Sequence, residues 1–65
     1  MPFVNIKIVR GRSEETKAQI ATGTVKSIVD ATGFAEDQIW VVFEEVEQED
    51  WFVGKRSVKE IRAKK

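Results

Sequence analysis

The residue pair with the most chemistry in it stands at the start of the chain. Met1 is followed by Pro2, and methionine is usually trimmed when the next residue is small, as proline is. Trimming leaves Pro2 with a free secondary amine, whose ring nitrogen holds a lone pair whenever it is unprotonated. An ordinary α-amino group titrates at about 7.7–8.0, and desolvation lowers an amine further. That is the range a general base needs near neutral pH. The chain holds no His, Cys or Tyr, so few other side chains could take the part. If Met1 stays, the Pro2 nitrogen is an amide and no base, and the proline merely stiffens a strand entrance. Proline in second place is common, so the dipeptide gains meaning only from what surrounds it.

The elements that would hold such an amine follow from the pattern of the chain. Phe3 to Val9 alternates, with Val4, Ile6 and Ile8 on one face and Phe3, Asn5, Lys7 and Val9 on the other. That is a strand with one strongly apolar face. Arg10-Gly11-Arg12 is the turn out of it, and Ser13 is a good helix N-cap. Glu14 and Glu15 favour the dipole of the first turn. Ala21, Val25, Ile28, Val29 and Thr32 keep helical spacing, widened by Ala18 and Ile20. Gly33 ends the helix as a left-handed C-cap. After a short connection over 35–38, Ile39-Trp40-Val41-Val42-Phe43 is apolar at every position, which predicts a strand covered on both faces. Strand, helix and strand make a βαβ unit with parallel strands and a right-handed crossover. Trp51-Phe52-Val53-Gly54 predicts a short late hairpin or edge strand. Ser57-Val58-Lys59-Glu60 is a capping box opening a short C-terminal helix that frays at Lys64-Lys65.

One helix covers one face of a two-stranded sheet, so the other face must meet another subunit. The size of the chain points the same way. A domain of 65 residues buries only about 60% of its unfolded surface. It has no cysteine for a disulfide and no ligand cluster for a structural zinc. Stability must come from helix packing or from other subunits.

Eleven basic and eleven acidic residues balance. Acidic side chains crowd the middle (Glu44, Glu45, Glu47, Glu49, Asp50) and basic ones the tail (Lys55, Arg56, Lys59, Arg62, Lys64, Lys65). The tail reads as a solvated helix end whose cations complement the dipole. Without net positive charge or an aromatic platform it is not read as a nucleic-acid surface. With no long apolar run and no signal segment, the chain is expected to be soluble and cytoplasmic, with no membrane partner.

Taken together, the layout resembles the 4-oxalocrotonate tautomerase family. The resemblance rests on Met1-Pro2, the strand Phe3 to Val9, Gly11-Arg12-Ser13 opening the helix, the strand ending Glu44-Glu45-Val46, Trp51, and Gly54 in the late hairpin. No one element is specific; proline in second place, Gly-Arg-Ser nine residues on and this chain length together are. The resemblance implies one tautomerase domain over 1–65 of the α/β (α+β) class. Its β-α-β fold has parallel strands, a short late hairpin and a short C-terminal helix, and is completed by oligomerisation. Two subunits join their sheets, and three such dimers usually form a homohexamer. The dimer remains an alternative.

It further implies an isomerase that needs no metal or organic cofactor, acting on a small dienol or keto acid such as 2-hydroxymuconate. Pro2 would take the 2-hydroxyl proton and return a proton to a distant carbon. Arg12 matches an arginine that reaches from a neighbouring subunit to the substrate's far carboxylate, a task suited to a planar, permanently charged guanidinium. On position alone Arg12 is simply an exposed turn residue. Trp51 matches an aromatic wall that excludes water and helps hold the amine neutral, with Phe52 the competitor if the hairpin is shifted by one. Trp40 stands where the family pattern carries an arginine for the 2-oxygen and near carboxylate. It has no charge and one N–H donor, so it either weakens dicarboxylate binding or forms an apolar specificity wall. Arg10, Lys55 and Arg56 are the substitute cations at hand. Hydration-dependent dehalogenation, a related activity, needs an arginine and a carboxylate where this chain has Val9 and Val53.

Overall fold

A computed structural model of the chain describes residues 2–63. Met1 and Lys64-Lys65 lie outside the described residues, and with them the expected trimming of Met1 and the fraying of the last helix. Strand β1 (Phe3–Val9) leads through Gly11 to helix α1 (Glu14–Thr32). The chain then returns through a 3-10 turn (Glu36–Gln38) to strand β2 (Trp40–Val46). A second 3-10 turn (Gln48–Asp50) opens a hairpin of β3 (Phe52–Val53) and β4 (Arg56–Ser57), which runs into helix α2 (Val58–Ala63).

β1 and β2 pair in parallel, with Phe3 opposite Trp40 and Val9 opposite Val46. The ladder extends one residue at each end, because Trp40 N–H donates to the Pro2 carbonyl (3.0 Å) and Arg10 N–H to the Val46 carbonyl (2.8 Å). The caps expected from the sequence are present. The Ser13 side chain accepts from the Thr16 N–H, and Gly33 adopts φ +80° while its N–H reaches the Val29 carbonyl. At α2, Ser57 Oγ accepts from Glu60 N–H (3.2 Å) and Glu60 Oε1 from Ser57 N–H (3.0 Å). That reciprocal pair is the predicted capping box.

Alternation sorts the sheet into two faces. Val4, Ile6 and Ile8, with Val41, Phe43 and Glu45, are half-buried, whereas Phe3, Asn5 and Lys7, with Trp40, Val42 and Glu44, are exposed. α1 packs against β2 through a half-buried stripe of Lys17, Ile20, Ala21, Thr24, Val25, Ile28 and Val29. Ala18 falls off this stripe, being one residue and so about 100° round from Lys17. Thr32 is also exposed, and its hydroxyl turns back to donate to the Ile28 carbonyl (2.7 Å). The apolar run Ile39–Phe43, expected to be covered on both faces, is covered on one by its own chain.

The consequence is a very small core. Among the described residues only Ile39 and Ser57 are buried, at 8% and 6% exposure. The hairpin, its 3-10 turn and α2 pack mainly on one another. The radius of gyration is 15.0 Å and the longest extent 44 Å, against about 11 Å expected for a compact chain of this length. Among the described residues no helix is long and apolar enough to cross a membrane.

Candidate active site

Pro2 sits at the leading edge of the sheet, half-buried, with its carbonyl tied to Trp40 N–H. That bond uses the backbone alone and leaves the ring nitrogen side of Pro2 outside the ladder. Trp40 is held at the same edge and is 56% exposed. Strand alternation puts the indole on the open face with Phe3, while Pro2 is in phase with Val4 on the helix side. The structure therefore brings the backbones of Pro2 and Trp40 together and sends their side chains to different faces.

Arg12 and Trp51 belong to the opposite edge. Eight residue steps separate Pro2 from Arg10, roughly 26 Å at about 3.3 Å per step. Arg12 lies in the turn beyond, exposed, and among the described residues it enters no ion pair. Its backbone is well defined by its neighbours: Gly11 takes φ +135°, and Ser13 caps α1. Trp51 follows the second 3-10 turn, half-buried, and its carbonyl accepts from Val58 N–H at 2.8 Å. Phe52 presents more of its ring, at 57% exposure. Lys55 and Arg56 are exposed in the hairpin. Pro2 at one edge and the Arg12 guanidinium at the other cannot meet one small molecule within one chain. A site using both needs a second chain to bridge the distance.

Sequence reasoning missed how the charges at the Arg12 edge are organised. Arg10, offered there as a substitute cation, is already engaged: its Nη1 lies 3.4 Å from Glu45 Oε1, and its Nε is bonded to Glu47. The hydrogen bond that Arg10 donates to Glu47 raises its guanidinium above its already high value, with the charges of Glu47 and Glu45 adding to it. The other Glu45 oxygen lies 3.3 Å from Lys17 Nζ. Across the exposed face Lys7 meets Glu44 at 2.7 Å, and that bond holds the Glu44 carboxyl below its usual range. Parallel register, with Lys7 opposite Glu44 and Ile8 opposite Glu45, was the signal that could have found these pairs.

One concavity of the structure gathers none of the expected site residues. It is an open groove of about 1070 Å³ between α1 and β2, lined by Val25, Val29, Ile39 and Val41 and by Asp30 and Asp37. Nor do the described residues contain a His, Cys, Asp and Glu group able to hold a metal ion.

A family model described as "Tautomerase enzyme" matches residues 2–61, beginning on Pro2 and running through β1, α1, β2 and the hairpin. The chain belongs to the tautomerase family. Among tautomerase relatives, "Probable tautomerase K2" of Dickeya dadantii (strain 3937) is 40% identical over 63 residues, covering 95% of this chain and 94% of its own. The 2-hydroxymuconate tautomerase of Comamonas testosteroni is 33% identical over 61 residues, covering 94% and 97%. Among solved structures, TomN, a 4-oxalocrotonate tautomerase homologue in the tomaymycin biosynthetic pathway, superposes with a TM-score of 0.90 at 32% identity over 95% of both chains. A heterohexamer 4-oxalocrotonate tautomerase from Chloroflexus aurantiacus J-10-fl gives 0.87 at 29% identity, over 95% of this chain and all of its own. The small α+β architecture, with parallel β1 and β2, a late hairpin and a short last helix, is the tautomerase fold.

Proposed function

We propose that the chain is a cofactor-free keto–enol tautomerase of 2-hydroxymuconate-like 2-hydroxydienoates, with Pro2 as the base once Met1 is removed. The observation that carries this reading is the station of Pro2. It is the first residue of the family match, and it is pinned to the sheet edge through its carbonyl, by a bond that does not involve its nitrogen. The Pro2 amine takes the 2-hydroxyl proton, and the O–H electrons become the C2–O double bond. The C2–C3 double bond moves to C3–C4, and the electron pair of the former C4–C5 bond takes the proton back from Pro2 at C5. Atoms and charge balance without an added reactant.

Arg12 receives the far carboxylate, where negative charge accumulates, and a preorganised guanidinium there lowers the barrier. Trp51, or Phe52 beside it, forms the dry wall that favours a neutral amine. Because Pro2 and Arg12 occupy opposite edges of one chain, the working site is shared between chains. Self-association also covers Phe3, Trp40 and Val42, which one chain leaves exposed. A homohexamer built as a trimer of dimers satisfies both needs; the heterohexameric Chloroflexus neighbour supports a six-chain assembly.

A second reading is favoured by Trp40: a substrate-divergent homologue whose uncharged edge prefers a monocarboxylate, or one that has lost the reaction if Met1 is retained. Intact-mass measurement paired with ketonisation assays on a dicarboxylate and a monocarboxylate dienol tests the proposal. A trimmed chain that ketonises at least one dienol is expected. An untrimmed chain inert toward both would reject it.

A further inference from the structure

Arg12 has no partner of its own among the described residues, yet the turn that carries it is gripped on both sides by one carboxylate. Arg10 precedes the turn and Lys17 follows it, one helical turn into α1. Glu45 Oε1 lies 3.4 Å from Arg10 Nη1, and Glu45 Oε2 lies 3.3 Å from Lys17 Nζ. Glu45 itself is fixed. It sits in β2 directly opposite Ile8, and its side chain and that of Lys17 are only 23% and 25% exposed. The Lys17–Glu45 pair, sheltered on both sides, is less screened than the exposed pair of Lys7 and Glu44, whereas the Arg10 side chain is 56% exposed and its contact to Glu45 is screened accordingly. Glu47 adds a second hold on Arg10 alone.

We propose that Glu45 is the positioning residue for Arg12. Its two oxygens clamp the flanks of the Arg10–Lys17 segment and so aim the unpaired guanidinium between them. The geometry has a chemical logic. Arg10 and Lys17 are also cations beside the turn, and either could take a carboxylate meant for Arg12. Glu45 occupies Lys17 and shares Arg10 with Glu47, the closer partner there, so Arg12 is left as the cation a carboxylate finds. Glu45 touches no reacting atom and acts through Arg12 only. The inference rests on the reading of Arg12 as the receiver of the far carboxylate.

The test compares wild type, Glu45→Gln, Arg12→Ala, their double variant, and Glu44→Gln as a control on the same strand that leaves the turn untouched. Each is assayed on a dicarboxylate dienol and on a monocarboxylate dienol lacking the far carboxylate. Glu45→Gln should lower kcat/KM on the dicarboxylate by at least about fivefold, inside the roughly hundredfold that an ångström of misplacement can cost. The monocarboxylate rate and the Glu44→Gln rates should stay near wild type. In the Arg12→Ala background the added Glu45→Gln loss should vanish, and amide exchange at Arg10 and Lys17, whose N–H groups flank the turn and donate to the Val46 and Ser13 carbonyls, should quicken in Glu45→Gln while β1 and β2 keep their protection. Equal losses on both substrates, a full loss persisting without Arg12, or unchanged exchange at those two amides would each overturn the proposal. Failure of the underlying reading looks different: Arg12→Ala would match wild type, and Glu45→Gln would quicken exchange without moving either rate.

Discussion

Replacing Trp40 by arginine is the substitution with the clearest expected gain. Position 40 is an edge position whose backbone N–H is bonded to Pro2, a contact any residue other than proline preserves. The indole is 56% exposed, so an aromatic side chain of up to about 250 Å² forfeits at most about 2–3 kcal/mol of apolar burial at about 25 cal/mol/Å². The arginine stem recovers part of that by lying along the same surface. The gain is a charge-assisted contact to a carboxylate, worth about 1.5–3 kcal/mol, or roughly 10- to 150-fold in binding at about 1.4 kcal/mol per decade. Steady-state kinetics on paired dienols is the assay, with denaturant unfolding of both proteins to separate folding from catalysis. Trp40→Arg should lower KM for a dicarboxylate dienol by about tenfold or more and move the monocarboxylate much less. A gain of the same size on both substrates, or none on either with the fold intact, would refute the view that Trp40 sets the charge requirement of the pocket.

Other perturbations have equally definite outcomes. Ser57→Ala removes the hydroxyl half of the capping box on a six-residue helix and should cost about 1 kcal/mol, read as a lowered unfolding midpoint with earlier exchange in α2. Gly33→Ala meets no atom within 4 Å, so its cost is the left-handed backbone alone, about 1–2 kcal/mol, measured by thermal unfolding. The Glu44 carboxyl is depressed by its bond to Lys7, so its stabilisation is present above the unfolded carboxylate value and is lost as pH falls through the folded one. Lys7→Met should return the Glu44 titration, followed by NMR, toward the ordinary value; an unmoved midpoint would mean the bond is not formed in solution.

Much of this was legible in the chain because local chemistry dictates it. The alternation of Val4, Ile6 and Ile8, the Ser13 cap, the left-handed Gly33 and the Ser57–Glu60 box each need only near neighbours in sequence. The phase of the helix was less legible. Ala18 and Thr32 share the spacing of the apolar stripe, but the sheet beneath α1 selects Lys17 and Thr24 instead. The grip of Glu45 on Arg10 and Lys17 is a product of parallel register, and composition shows it only as part of an acidic run. Trp40 and Val42 are left uncovered by their own chain. Likewise Pro2 and Arg12, adjacent in the logic of the site, stand at opposite edges of the subunit.

The central claim is that Pro2 is the group that moves the proton. Its most direct measurement is the ketonisation rate of Met1-trimmed wild type against trimmed Pro2→Ala, at matched concentration and with assembly checked by size-exclusion chromatography. The account predicts that Pro2→Ala loses most of the activity and keeps its assembly. Equal rates from two equally assembled proteins would contradict it.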